Sequence, residues 1–360
     1  MKVKVERKAL LELLAKADLA RAKRALLPIC TNFLVEAGNG GVSVTGGDLE
    51  TYVTATGKAE VQRKGAIVVS HELYHFLKTL KGETVSLEAK AKEVIVKVDS
   101  LSACFEAFER EDYPPLRPPE GPRVKVKGLA EVLVDVTFCT STDYARPVLN
   151  GVCFSPQDNG SIDLVAADGF RLGIAPLRAT PKLEEGFILP LKAAMVAIKL
   201  FKEQAELRVV KRNEQQKDAY IEENGTTLRA ATISGTYPEY RRLVPKAGKV
   251  VRFNTQELAK AVNAIASAIG KSKPAIVRLQ AGRGAIKVSY IGEEKRAECQ
   301  VPTSSKGTAR IAFDCKYLKE ILARLGADAS MTVSGPQDPA VFRSRPSKTT
   351  YVVMPMFVQW

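Results

Sequence analysis

Apolar residues recur at helical spacing in six separate stretches of the chain. Within residues 70–80, Leu73, Phe76, Leu77 and Leu80 fall at i, i+3, i+4 and i+7, which predicts an amphipathic helix. The same periodicity predicts helices over 6–20, 127–141, 190–201, 255–269 and 314–325. Ser70 and Asp314 are suited to cap their helices, and Pro190 suits an early helical position.

Between these stretches the pattern switches to alternation. Residues 33–46 form two alternating runs around Asn39-Gly40, which predicts a hairpin. Residues 152–167 repeat this around Asn159-Gly160, and residues 277–290 around Gly282-Arg283-Gly284. A proline (Pro28, Pro147, Pro274) precedes each hairpin. A second helix follows each one, then strands and a proline-bearing segment: 112–116, 236–245 and 352–356. Three copies of one plan, each of roughly 120 residues, are the expectation. Polar Pro/Gly segments near 118 and 247 divide the chain into domains 1–118, 119–247 and 248–360.

Charge adds direction. Lys+Arg number 54 against 40 Asp+Glu, a net charge of +14, which suits a polyanionic partner, most often nucleic acid. The positive residues are dispersed, and the predicted helices carry many of them: Lys8, Lys16, Lys78, Lys192, Lys199, Lys260, Lys316, Lys319 and Arg324, with Lys81 and Lys202 just beyond helix ends. No run approaches the roughly 18 apolar residues of a membrane span, and the N-terminus lacks a signal-peptide core, so a cytoplasmic protein is expected. The six cysteines are scattered without a C-x-x-C pair, and reduced, buried thiols are expected.

One motif points elsewhere. His71-Glu72-Leu73-Tyr74-His75 is H-E-x-x-H, the spacing by which two histidines on a helix share zinc beside a glutamate base. These are the only two histidines, so a third ligand would have to be a carboxylate or a thiol, and Lys78 one turn on would repel a cation. The sister helices at 190 and 314 lack the motif. The helix is therefore read as scaffold, with no metal, cofactor or catalytic residue expected. A zinc hydrolase and a non-ring, basic nucleic-acid-binding protein are the alternatives.

Residues 27–37 (LPICTNFLVEA), 45–50 (TGGDLE), 148–154 (VLNGVCF), 165–175 (VAADGFRLGIA), 236–245 (TYPEYRRLVP) and 351–356 (YVVMPM) together resemble the bacterial DNA polymerase III beta subunit, the sliding clamp. The resemblance implies an α+β fold: three tandem clamp domains with helices on one face of antiparallel sheets. It also implies a head-to-tail homodimer closed into a ring around double-stranded DNA, with no chemistry of its own. Its partners would be the replicative DNA polymerase, the clamp loader and other clamp-binding proteins, engaged through short linear peptides.

Carried over residue by residue, the resemblance implies a partner-peptide pocket of Leu149, Ala167, Gly169, Phe170, Arg171, Leu172, Pro238, Arg242, Leu243, Val353, Met354, Pro355 and Met356. Arg171 and Arg242 would orient polar or acidic peptide groups, whereas Leu149, Leu172 and Leu243 would also suit an ordinary core. The DNA-facing candidates are Arg24, Arg146, Lys78, Lys199, Lys202, Lys260 and Lys319. The dimer candidates are Phe105 and Phe108 on one side and Ala268 and Ile269 on the other. Glu106, Glu109 and Glu111 would face Lys271 and Lys273 at the rim. The four residues after Met356, which include Phe357 and Trp360, are expected to fold over the peptide pocket.

Overall fold

A computed structural model describes residues 1–24, 27–213, 216–270, 275–282, 284–305 and 307–360. Pro274, Arg283, Lys271 and Lys273 lie outside the described residues. The first third of the chain runs β1 (Lys2–Glu6), α1 (Arg7–Asp18), β2 (Phe33–Gly38), β3 (Gly41–Gly47), β4 (Thr51–Lys58), β5 (Glu60–Arg63), β6 (Gly65–Val69), α2 (Glu72–Thr79), β7 (Thr84–Lys90), β8 (Glu93–Val98) and β9 (Leu101–Phe108). The middle third runs β10 (Val124–Lys127), α3 (Leu129–Thr137), β11 (Gly151–Pro156), β12 (Ser161–Ala167), β13 (Arg171–Thr180), β14 (Phe187–Pro190), α4 (Leu191–Leu200), β15 (Gln204–Lys211), β16 (Lys217–Glu223) and β17 (Thr226–Ala231). The last runs β18 (Lys249–Asn254), α5 (Thr255–Ile269), β19 (Ile276–Gly282), β20 (Ala285–Ile291), β21 (Arg296–Pro302), β22 (Ala309–Asp314), α6 (Cys315–Leu322), β23 (Asp328–Val333), β24 (Ala340–Ser344) and β25 (Thr350–Val353). Each third is thus strand, helix, four or five strands, helix, three strands.

By packing, the chain divides into two compact units, residues 1–130 with 179–234 and residues 131–178 with 235–360. The middle third contributes to both. In the first unit β4 pairs antiparallel with β17, from Thr51↔Ala230 to Ala55↔Thr226. In the second, β13 pairs antiparallel with β25, from Arg171↔Val353 to Ile174↔Thr350. Strand pairing therefore runs straight through the boundaries at which composition divides the repeats.

The first core gathers Leu10 and Leu14 of α1, Leu73 and Leu77 of α2, and Phe33, Val44, Val85 and Val96 from the strands, all fully buried. The helix sits close on its sheet at Gly46, where an added Cβ would lie 2.5 Å from the Ala17 carbonyl oxygen. Only glycine permits that approach. In the second unit α5 buries Leu258, Ala261, Val262, Ile265 and Ile269, and α6 buries Leu318, Ile321 and Leu322. They cover the four-stranded sheet β21-β20-β19-β22, whose inward residues include Val277, Leu279, Ile286, Val288, Ile311 and Phe313.

Local chemistry explains the turns and caps. Asn39 (φ 48) and Gly40 (φ 74) both take positive φ between Gly38 and Gly41, the two-residue turn that Asn-Gly favours. The second hairpin differs. Its last strand pair is Pro156↔Ile162, the Gln157 N–H bonds Ser161 O and the Gly160 N–H bonds Gln157 O, so the loop is longer and only Gly160 has positive φ. Asp314 caps α6 by accepting the Lys316 N–H at 2.8 Å, and Asn254 caps α5 from Glu257. Ser70 Oγ accepts the Glu72 N–H at 3.3 Å. All six cysteines are free. Cys30, Cys139, Cys153 and Cys315 are buried as expected, but Cys104 occupies an outward position of β9 and is exposed. Burial pushes the Cys153 thiol up to about 12, which keeps it protonated and unreactive.

Candidate functional site

The D-G-F-R-L motif is a turn built by its own aspartate. Asp168 Oδ1 accepts the N–H groups of Phe170 and Arg171, both at 2.9 Å, and Gly169, between Asp168 and Phe170, sits at φ +92. A side chain there would also meet the Arg146 guanidinium, 2.8 Å from the position of an added Cβ. Asp168 Oδ2 then accepts from Arg171 Nε at 3.0 Å. One carboxylate fixes both the backbone and the cation.

Arg171 is 8% exposed. Its Nη1 donates to Glu320 of α6, and the guanidinium carbon lies 5.1 Å from the centre of the Phe138 ring and 4.9 Å from that of Tyr317. Two carboxylates and two aromatic faces occupy it, which is how a buried guanidinium is tolerated. The resemblance implies that Arg171 orients peptide groups; in the folded chain its charge is balanced by Asp168 and Glu320, so it also braces the turn.

The pairing of β13 with β25 brings the C-terminal segment alongside. The Met354 N–H donates to Phe170 O at 2.8 Å, and the Met356 N–H to Ala312 O at 2.8 Å. Val353 is buried, whereas Met354 is 45% exposed and Phe170 53%. The Phe170 ring stacks on Tyr317 with centroids 5.7 Å apart. The Y-P-E-Y-R-R segment is anchored to β12: the Tyr240 hydroxyl and Arg241 Nη2 both donate to Asp163 Oδ2, at 3.0 and 2.8 Å. That leaves Pro238, Arg242 and Leu243 exposed, with Arg242 paired to its neighbour Glu239. Leu149 and Leu172 are buried, but Leu243, for which a core place was also open, is 53% exposed. The chain thus presents large apolar side chains to solvent on backbone that is fixed by partly buried ion pairs.

Sequence reasoning missed Tyr317, Glu320 and Phe138. Tyr317 and Glu320 lie three apart on α6, each directly after a lysine (Lys316 and Lys319), so the local pattern reads as cationic. The tail expectation is also corrected. Trp360 does not cover the peptide pocket: its ring lies 5.7 Å from the Arg310 guanidinium, beside Arg278 and Lys287 on the four-stranded sheet. Phe357 is 77% exposed.

The helix cations vary in availability. Lys199, Lys202 and Lys319 are exposed, as is Arg24. Lys78 is exposed with its ammonium 3.7 Å from the Tyr74 ring centre, and Lys260 pairs with Glu257 on its own helix at 3.2 Å. Arg146 pairs with Asp143 at 3.4 Å and sits against the Gly169 turn. Lys16 is half-buried, its ammonium 3.1 Å from Thr226 Oγ1, and Lys192 pairs with Asp48. Of the dimer candidates, Phe105 packs on Phe76 at 5.2 Å and Phe108 against Leu34, Tyr52, Val68 and Tyr113. Ala268 is exposed. Ile269 is 1% exposed, because it continues the buried stripe of α5, and offers a partner no side-chain surface.

In the H-E-x-x-H helix, His71 and His75 stand edge to face with ring centres 6.2 Å apart. Among the described residues, no three His, Cys, Asp or Glu side chains gather as a metal site requires. His71 Nδ1 is buried without a partner, and burial, reinforced by Arg21, holds its pKa below the usual histidine value.

Two models of one family match in tandem: the N-terminal domain of the DNA polymerase III beta subunit over residues 1–117 and its central domain over 123–239. The chain belongs to the DNA polymerase III beta subunit family. Curated relatives named beta sliding clamp align from end to end. That of Caulobacter vibrioides is 26% identical, covering 99% of this chain and 100% of the relative, and that of Pseudomonas aeruginosa is 25% identical, covering 98% of each. The crystal structure of the C. crescentus beta sliding clamp matches with a TM-score of 0.91 at 26% identity, covering 99% of this chain and 100% of that one. The Bacillus subtilis sliding clamp, at 20% identity and a TM-score of 0.92, shares the fold over both full lengths. As a sliding clamp the chain is a processivity factor rather than an enzyme. Among the described residues, no helix is long and apolar enough to cross a membrane.

Proposed function

We propose that two copies of this chain join head to tail into a closed ring that encircles duplex DNA in the cytoplasm and tethers the replicative polymerase. Three domains, 1–118, 119–247 and 248–360, make up each half, and the threefold recurrence of strand, helix, strands, helix, strands supports that division. Exposed lysines on the helices, Lys78, Lys199, Lys260 and Lys319 among them, contact phosphates loosely, so the ring slides and its hold weakens with salt. Tethering raises the local concentration of polymerase at the primer end without any chemical step.

The observation that carries the reading is the Asp168–Leu172 turn docked on the Val353–Met356 segment. It exposes Phe170 and Met354 over a buried Arg171 paired with Glu320, a rigid apolar anchor for short peptides of the polymerase, the clamp loader and other partners. The flexible methionines suit several such peptides.

The test is retention on DNA. The protein, loaded onto nicked circular DNA, is expected to stay bound through gel filtration and to be lost once the circle is cut to a linear form. Equal retention on both would mean groove binding without closure. A solution mass of one chain rather than two at working concentration would contradict the ring.

A further inference from the structure

The face of the β21-β20-β19-β22 sheet turned away from α5 and α6 carries a cationic groove that the clamp reading does not use. Along β19, Val277, Leu279 and Ala281 point into the core, so Arg278 and Gln280 point outward. Two cavities open on this side, of about 320 and 360 Å³. Gln280 lines both, and Arg310 in one touches the Trp360 ring in the other at 5.7 Å. They form one strip. Its charged side chains are Lys249, Arg278, Lys287, Arg296 and Arg310 against one acidic side chain, Glu298, which pairs with Lys287 at 2.6 Å.

Arg278 carries the argument further. Its Nε and Nη1 are buried and make no hydrogen bond. Donors of a guanidinium left unpaired out of water are costly, and a bound anion relieves that cost. Beside it stands an aromatic surface. Trp360 takes Arg310 on its ring yet stays 41% exposed. Cations spaced along a groove, with a flat indole set among them, are the elements by which proteins hold single-stranded nucleic acid: phosphates on the cations, a base on the aromatic ring. An acidic peptide would use the cations but has no need of the indole.

We propose that this outer groove of the third domain binds single-stranded nucleic acid, with Arg278 and Arg296 on phosphates and Trp360 stacked on a base. The strand would lie on the sheet face opposite the helices assigned to duplex DNA. This inference stands apart from ring closure.

Trp360 is the only tryptophan in the chain, so its emission reports this groove directly. The full-length protein is titrated with an oligothymidylate of about 15 nucleotides at low salt. Saturable quenching that weakens as salt rises is expected, with duplex of the same length quenching far less. Arg296→Glu, at an exposed position, is expected to weaken the quenching titration by about tenfold or more, and Arg278→Ala likewise. Unchanged melting temperature and solution mass show that each variant folds. The proposal is overturned if emission does not respond, if Arg296→Glu titrates like the parent, or if an oligoglutamate quenches as strongly as the oligonucleotide. That last result would assign the groove to acidic peptides. Retention on circular DNA is read in the same preparations, so loss of one property without the other separates this inference from the ring.

Discussion

The Phe170 ring lies nearly parallel to that of Tyr317, at 16° with centroids 5.7 Å apart, although the two residues come from opposite halves of the sequence. Phe170 is more than half exposed, so the stack holds a hydrophobic side chain ready at the surface rather than burying it. Preorganisation of this kind lowers the entropy lost when a partner binds. Phe170→Ala is expected to weaken binding of a short peptide with leucine and phenylalanine anchors by about tenfold or more, each tenfold being about 1.4 kcal/mol. Stability should change by less than about 1 kcal/mol, since little area is buried. Fluorescence anisotropy with a labelled peptide measures the first and chemical denaturation the second. A large loss of stability with no loss of affinity would show that Phe170 is structural.

Asp168 serves the same site from beneath. It accepts two backbone N–H groups and pairs with Arg171, which is 8% exposed. Asp168→Ala leaves the turn uncapped and a buried guanidinium with one fewer anion, at a cost of about 2–4 kcal/mol. Asp168→Asn keeps an oxygen for the two N–H groups and is expected to recover part of that loss. Urea unfolding of both variants decides it, and an Asn variant no better than Ala would show that the ion pair alone matters.

Gly46 marks a close approach of α1 to its sheet in the first unit. The atom an added Cβ would strike is the Ala17 carbonyl oxygen, which is backbone and cannot rotate away. Gly46→Ala is expected to destabilise by about 1–3 kcal/mol by pushing α1 off β3. A melting temperature equal to the parent's would mean that the helix shifts at no cost.

His71 gives the fold a pH dependence. Burial first, then the positive Arg21, lower its pKa, and Glu72 opposes them only in part. Above the ordinary histidine value of about 6.5, both folded and unfolded chains carry it neutral and it contributes nothing. As pH falls below that value the unfolded chain takes up a proton that the folded chain resists, so stability declines toward acid. His71→Gln is expected to flatten the stability profile between about pH 7.5 and 5.5, about one unit either side of 6.5. Parallel profiles for variant and parent would show that other groups set the slope.

Much was legible locally. The 3.6-residue period locates the six α-helices of the described residues, α5 over the same span 255–269, and Asn39-Gly40 forms the expected turn. These features depend on residues a few positions apart, which a linear pattern records. Asn159-Gly160 shows the limit of that record, because the bond from Gln157 N–H to Ser161 O lengthens the loop around the same two residues.

Arg171 shows what the sequence by itself did not determine. Its motif fixed the nearby Asp168, but Glu320, Tyr317 and Phe138 reach it only because β13 pairs with β25 and α6 packs alongside. Charge pairing between residues 149 positions apart leaves no periodic trace. The same holds for Ile269, whose burial depends on which side of α5 meets the sheet, and for Trp360, which lies on Arg310 rather than over the peptide site. Local spacing determined which elements form, and three-dimensional packing decided which charges are buried and which apolar side chains are left for a partner.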